Sequence, residues 1–443
     1  MRESSPSPTH RRSSASYFYS LESDRIAMSL PILPNELITS IAIHLLPSLR
    51  DLNSWAQTSH LFHQVINPII YQNHSQKTLQ PALCCAAQRG KLAACIRLLC
   101  EGVNPNILDS NRRTPLLWAA RNGHADVVTA LLSAKETDPN APDEDLRTPL
   151  LFAAGKGMSH FDRGLFPKIP PDGDKFIAGH YLAVVKALLS VKGIQVDRPD
   201  NRGRTPLAVA AGSGAESTVE EILRTGKADP NSRDMSGQTP LMGAAMGGSP
   251  GIFNLLIGTE GVEVDAKSNV GDTALLAAAG VGNVEIMKVL LAMPNVDPTE
   301  VASFGGSALI STIYNGYTDA VALLLADERV DLNIVHQFGA TPLVKAAQCG
   351  HTHIMQMLLE RGAEPDESDS IGNTALRVSA EKGNIEAIQL LLSTGRCDAD
   401  LDLTEGPGFP PFLSVSSYNM NEAVLKIFDD YKRRHRTDHA TES

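Results

Sequence analysis

The chain has 443 residues, 42% of them hydrophobic, which is enough for a large buried core, while aromatic residues make up only 5%. A net charge of −11 and an isoelectric point near 5.6 speak against a nucleic-acid partner, which would favour a basic surface. No apolar run of about 18 residues predicts a membrane span, and no apolar signal core stands near the start. The six cysteines form no CxxC pair and read as small buried thiols of a reducing compartment, so the expected location is cytoplasmic or nuclear.

Residues 1–27 are rich in Ser, with Pro6, Pro8, Arg11 and Arg12, and predict a disordered tail. Residues 28–74 predict three short helices. The first starts at Pro34, with Leu37, Ile41 and Leu45 on one face, and Pro47 stops it. Leu49 and Leu52 open a second helix through Trp55. Leu61, Phe62, Val65 and Ile66 mark a third, ended by Pro68. Three helices in about forty residues can only just close a core, so apolar surface is left for a partner. The Leu33-Pro34-x-Glu36-Leu37 start followed by Leu49-x-x-Leu52 resembles the F-box. That resemblance implies docking through Leu33, Pro34, Leu37, Ile41, Leu45 and Leu52 onto the Skp-type adaptor of a cullin ubiquitin ligase. The alternative is a helical cap on the array that follows.

From residue 79 to 431 one phrase recurs: Thr-Pro-Leu, Ala-Ala, a Gly-centred turn and an apolar run ending in Leu-Leu. Its first positions are 81, 114, 148, 205, 239, 273, 307, 341, 374 and 411, with seven of nine steps equal to 33 or 34 residues. A fixed period of this length predicts a solenoid. In each unit Thr is placed to cap a first helix and Pro to open it. A Gly turn such as Asn122-Gly123-His124 separates this from a second helix, and Asp138-Pro139-Asn140 or its equivalent leads onward. A single unit buries too little to stand alone, so the stack must propagate between altered ends. The degraded copies at 81 and 411 fit that need.

Thr-Pro-Leu-x-x-Ala-Ala, Gly-His, Val-Val-x-x-Leu-Leu and Asp-Pro-Asn together resemble the ankyrin repeat. The implied fold is all-α: a solenoid of about nine repeats plus a degenerate C-terminal cap, preceded by the three-helix F-box-like module. That combination is similar to fungal F-box/ankyrin proteins. One departure is clear. The His usual after Thr-Pro-Leu is replaced by Leu117, Leu151, Ala208, Met242, Leu276 or Val344, so apolar packing must replace its hydrogen bonds. In the family, first helices and extended fingers form a concave surface for other proteins. The candidate contacts on that surface, at finger tips and first-helix ends of the N-terminal half, are Arg112, Arg113, Trp118, Arg121, Arg147 and Arg204, since Trp and Arg are typical anchor types.

The step from 148 to 205 is 57 residues, one unit plus an insertion near 158–180 that holds Phe161, Phe166 and Phe176. Interruptions of this kind fall in loops and often on the binding face. Gly247-Gly248-Ser249-Pro250-Gly251 matches a nucleophile elbow, but that motif needs a strand before it, and here it falls in a turn between helices. Asp398, Asp400 and Asp402 lack the Gly and Glu of a calcium loop. His351 and His353 have no third ligand nearby in the sequence. Residues 432–443, with Lys432-Arg433-Arg434-His435-Arg436, form a basic and polar tail. The expected protein is therefore no enzyme and takes no cofactor or metal. It binds an undefined protein substrate for a cullin ligase core, with a plain ankyrin scaffold as the alternative, and touches neither nucleic acid nor membrane.

Overall fold

The computed structural model describes residues 76–155, 175–303, 305–332, 339–397, 424, 426–431 and 433. The F-box-like segment 28–74, the tail 1–27, Phe161, Phe166 and the last phrase at 411 lie outside the described residues, as does most of the basic tail.

Helices come in pairs. The first units are α1 (Gln76–Gln88) with α2 (Leu92–Cys100), α3 (Pro115–Arg121) with α4 (Ala125–Ser133), and α5 (Pro149–Ala154) with α6 (Lys175–Leu189). Then come α7 (Pro206–Gly212) with α8 (Glu216–Arg224), α9 (Pro240–Gly247) with α10 (Pro250–Ile257), and α11 (Ala274–Val281) with α12 (Val284–Leu291). The series continues with α13 (Ala308–Asn315) and α14 (Thr318–Leu325), α15 (Pro342–Cys349) and α16 (Thr352–Glu360), and α17 (Ala375–Glu381) and α18 (Ile385–Ser393). First helices pack on first helices of the next unit, second on second, and each pair closes on itself.

The recurring Thr acts as the phrase predicts. Thr114 Oγ1 accepts from the Leu117 amide at 3.1 Å, and Thr148 from Leu151 at 3.2 Å. The same bond starts every first helix from α3 to α17, with Ser307 serving α13. Five of these helices add Pro at the first position. Leu116, Ala119 and Ala120 are fully buried, and their equivalents run as one core from Leu83 to Phe428. The small Ala pair lets neighbouring first helices approach closely. At Gly90 the requirement is stricter: a Cβ would lie 2.7 Å from the His124 ring of the next unit.

The connections carry a second cross-link. Asn140 Nδ2 donates to the Gly193 carbonyl at 3.0 Å, and its Oδ1 accepts from the Gln195 amide at 2.9 Å. Asn231 does the same to Gly261 (2.7 Å) and Glu263 (2.9 Å). At the equivalent position of the intervening unit stands Asp197. Its Oδ2 accepts from the Asp229 amide at 2.6 Å, but its Oδ1 is buried with no hydrogen-bond partner. Burial pushes the Asp197 carboxyl above its ordinary range, and the Asp229 amide offsets only part of that.

The insertion differs from a simple loop. Helix α6 has 15 residues against 9 in α4, because it begins at Lys175, inside the segment predicted as insertion. Phe176 lies in its first turn. Tyr181 takes the place held by His124 one unit earlier: its ring lies over Gly123, and its hydroxyl donates to the Arg121 carbonyl at 2.9 Å. The chain thus rejoins the stack at Tyr181.

Candidate functional site: the face of first helices and fingers

Each finger is a tight turn built on one residue. Asp109 Oδ1 accepts from the amides of Asn111 and Arg113, both at 2.8 Å. Asp143, Asp200, Asp234 and Asp369 repeat the pattern, and Ser268 does it with a hydroxyl. The fourth residue of each turn is left-handed. It is Gly203, Gly237, Gly271, Gly305, Gly339 or Gly372 in the later fingers. At Gly237 a Cβ would come within 2.5 Å of Asn269. The first two fingers differ: Arg112 (φ 55°) and Leu146 (φ 60°) take this conformation with full side chains. Such residues store of order 1 kcal/mol of strain and gather at functional sites. Arg112 is exposed, and Leu146 is 47% exposed.

Behind these two tips four of the expected arginines and aromatics meet. The Arg113 guanidinium lies 5.0 Å from the centre of the Trp118 ring. Arg121 stands 5.6 Å from Trp118 and 5.5 Å from Phe152 of the next unit. Arg147 lies 5.0 Å from the other side of Phe152. Cations this close to a ring are attracted by its quadrupole, by about 0.5–2 kcal/mol each. Three acids fix the ladder. Trp118 Nε1 donates to Asp109 at 2.8 Å, and Arg147 binds Asp143 and Asp145, both at 2.7 Å. Arg113 adds a looser 3.7 Å pair to Asp143.

The positions differ in what remains open. Arg147 is 6% exposed and Arg204 is bound to Asp200 at 2.6 Å. Both arginines brace their own fingers; Arg147 is buried, while Arg204 keeps the same partial exposure as Arg113. Each does so through its partner four residues earlier, Asp143 or Asp200, whose other oxygen already holds the turn. Trp118, Arg113 and Arg121 are half-buried, and Arg112 is exposed. Beneath the ladder Leu117, Leu151, Phe152 and Val209 form a small apolar cluster apart from the main core. Two of these occupy the position of the missing His, so packing does replace its hydrogen bonds there.

Further along, Tyr314 is 62% exposed with the Lys345 ammonium 5.0 Å over its ring. Sequence reading did not single out this pair, since Tyr314 and Lys345 come from different units. Asp109, Asp143 and Asp145 were also missed. For Asp109 and Asp143 the signal was present: an acid five residues before Thr recurs at the repeat period, whereas Asp145 stands only three before it.

The other constellations resolve into structure. Ser249 stands between α9 and α10 at the N-cap position, followed by Pro250, but its hydroxyl makes no capping bond. The ring of His351 lies over Gly316, as His124 lies over Gly90. Among the described residues no group of three or more His, Cys, Asp or Glu is placed to hold a metal. No helix among them is long and apolar enough to cross a membrane. Of the cysteines, Cys84, Cys95 and Cys397 are buried as predicted, while Cys85 and Cys100 are exposed because they fall on the opposite faces of their helices. Burial pushes the Cys84 thiol up to about 12 and that of Cys95 to about 11, so both stay protonated and inert.

A family model described as ankyrin repeats (3 copies) matches residues 62–163, 176–268, 241–335 and 309–404. The first match begins inside the segment that resembles an F-box. A mouse protein, "Protein fem-1 homolog A-like", is 46% identical over 59 residues, which is 13% of this chain and only 8% of that protein. The period, the capped helix pairs, the fingers and a family match over more than half of the sequence agree: the chain belongs to the ankyrin repeat family.

Proposed function

We propose that the chain is a protein-binding adaptor. The face of first helices and fingers holds a target protein, and residues 28–74 dock the Skp-type adaptor of a cullin ubiquitin ligase. Ankyrin repeats are interaction modules, which supports the first half. The observation that carries it is the ladder of Arg113, Trp118, Arg121 and Phe152, in which Arg113, Trp118 and Arg121 are only partly buried and Phe152 is buried beneath them, beside two strained finger tips. Trp and Arg are the residue types that most often anchor interfaces. The second half rests on the Leu33-Pro34-x-Glu36-Leu37 motif. In this reading the array raises the effective concentration of a target lysine near a conjugating enzyme, and chemistry belongs to partner subunits.

The test is co-purification of the full chain with a Skp-type adaptor. Leu33→Asp with Leu37→Asp should abolish the contact. A contact that survives both changes overturns F-box docking. A wild-type chain that never binds the adaptor leaves the plain scaffold, with residues 28–74 as a cap.

A further inference from the structure

The charges of this acidic protein are unevenly placed. From α3 to α15 the first helices carry two charged side chains, Arg121 and Lys345, both cationic, and no acid. The second helices α4 to α16 carry seven acids against four cations, Lys175, Lys186, Arg224 and Lys288, with Glu220 and Glu221 paired to Arg224 and Lys186. Three finger acids, Asp109, Asp143 and Asp200, have both oxygens engaged within their own fingers, while the Asp145 side chain stays 48% exposed. Asp109 and Asp143 each take two backbone amides plus the Trp118 indole or the Arg147 guanidinium. Asp200 does so with Arg204, and Asp145 pairs with Arg147. What remains exposed at the first and third tips is cationic, Arg112 and Arg202, with Glu144 an exposed acid on the finger between them. Exposed apolar side chains sit in the same row: Leu146 at 47% and Met235 at 72%.

Resting on the protein-binding reading above, we propose that this face takes an extended acidic segment of the partner. Its carboxylates meet Arg112, Arg121 and Arg202, and its apolar side chains rest on Leu146 and Met235. The second helices keep a small excess of acids over cations, which disfavours such a segment there relative to the first helices. The strained backbone at Arg112 and Leu146 fits a role outside folding, since the later fingers use Gly at that position.

The probe is a random dodecapeptide library displayed on phage and selected on the immobilised full chain. The expected result is enrichment of Asp and Glu interspersed with apolar residues. Binding of the selected peptides should weaken about tenfold in Arg112→Gln/Arg121→Gln and fall with added salt. Arg112→Gln alone, at an exposed position, should give part of that loss without touching the fold. Selected peptides free of acidic enrichment, or binding indifferent to both arginines, would overturn the inference and leave protein binding intact. No selectable peptide at all would overturn the binding reading, and the inference with it.

Discussion

Asp197→Asn should stabilise the array. In the flanking connections an Asn side chain spans two units with one donated and one accepted hydrogen bond. Asp197 keeps the accepted bond to the Asp229 amide but leaves Oδ1 buried and unpaired. Asn140 and Asn231 each donate to the carbonyl two residues before the amide they accept from, and the register of that pattern makes the Lys227 carbonyl the acceptor for an amide at 197. An ionised carboxylate cannot donate; an amide can. Restoring one hydrogen bond and relieving one buried unpaired oxygen is worth about 1–2 kcal/mol. The pH dependence follows from burial holding the Asp197 carboxyl above its ordinary 3.8 in the folded chain. The folded chain then binds the proton more tightly than the unfolded chain. Wild-type stability therefore falls as pH rises from the ordinary value through the raised folded value, and the full penalty stands above it. Protonated Asp197 can donate as Asn does, so the advantage of the variant should be largest at pH 7 and shrink towards pH 4. Urea unfolding of both chains at the two pH values reads this out. Long arrays unfold in parts, so exchange of the Asp229 amide gives the local measure. Equal midpoints at pH 7, or a gain that does not change with pH, would refute the reasoning.

Asp143→Ala takes one of two carboxylates from the buried Arg147 guanidinium, leaving Asp145, and removes the acceptor for two turn amides. A loss of about 2–3 kcal/mol is expected in urea unfolding, and a loss under 1 would show the Asp143 carboxylate to be dispensable. Leu146→Gly relieves a left-handed backbone and should raise stability by about 0.5–1 kcal/mol while weakening partner binding; calorimetry and a peptide titration check the two signs. Ser249→Ala should change stability by less than about 0.5 kcal/mol, because its hydroxyl caps nothing. A hydrolase activity that disappears with this change would reopen the nucleophile-elbow reading.

Much of the fold was readable because the repeat puts each cue at a fixed offset. Thr or Ser capped every first helix from α3 to α17 and Pro opened five of them, whereas the degraded copy at Pro81 fell inside α1, which starts at Gln76. The site was less readable for a geometric reason. Trp118 and Phe152 are 34 positions apart, and Arg121 joins them only when two units stack. Arg147 looked like an open contact, yet its own finger acid buries it. The Asp-Pro-Asn connection was visible as a boundary, but its role as a latch needs the carbonyl of the following unit. The same holds for Asp197, whose departure from Asn is silent until that carbonyl is in place. The early start of α6 at Lys175, inside the segment 158–180 read as an insertion, was not legible in the spacing.

The most direct test of the adaptor account is quantitative proximity labelling in cells with three chains: the full protein, one lacking residues 28–74, and Arg112→Gln/Arg121→Gln. The account predicts that the deletion loses the Skp-type adaptor and cullin while keeping the target, and that the arginine changes lose the target while keeping the ligase. A labelled set that is the same for all three chains would contradict it.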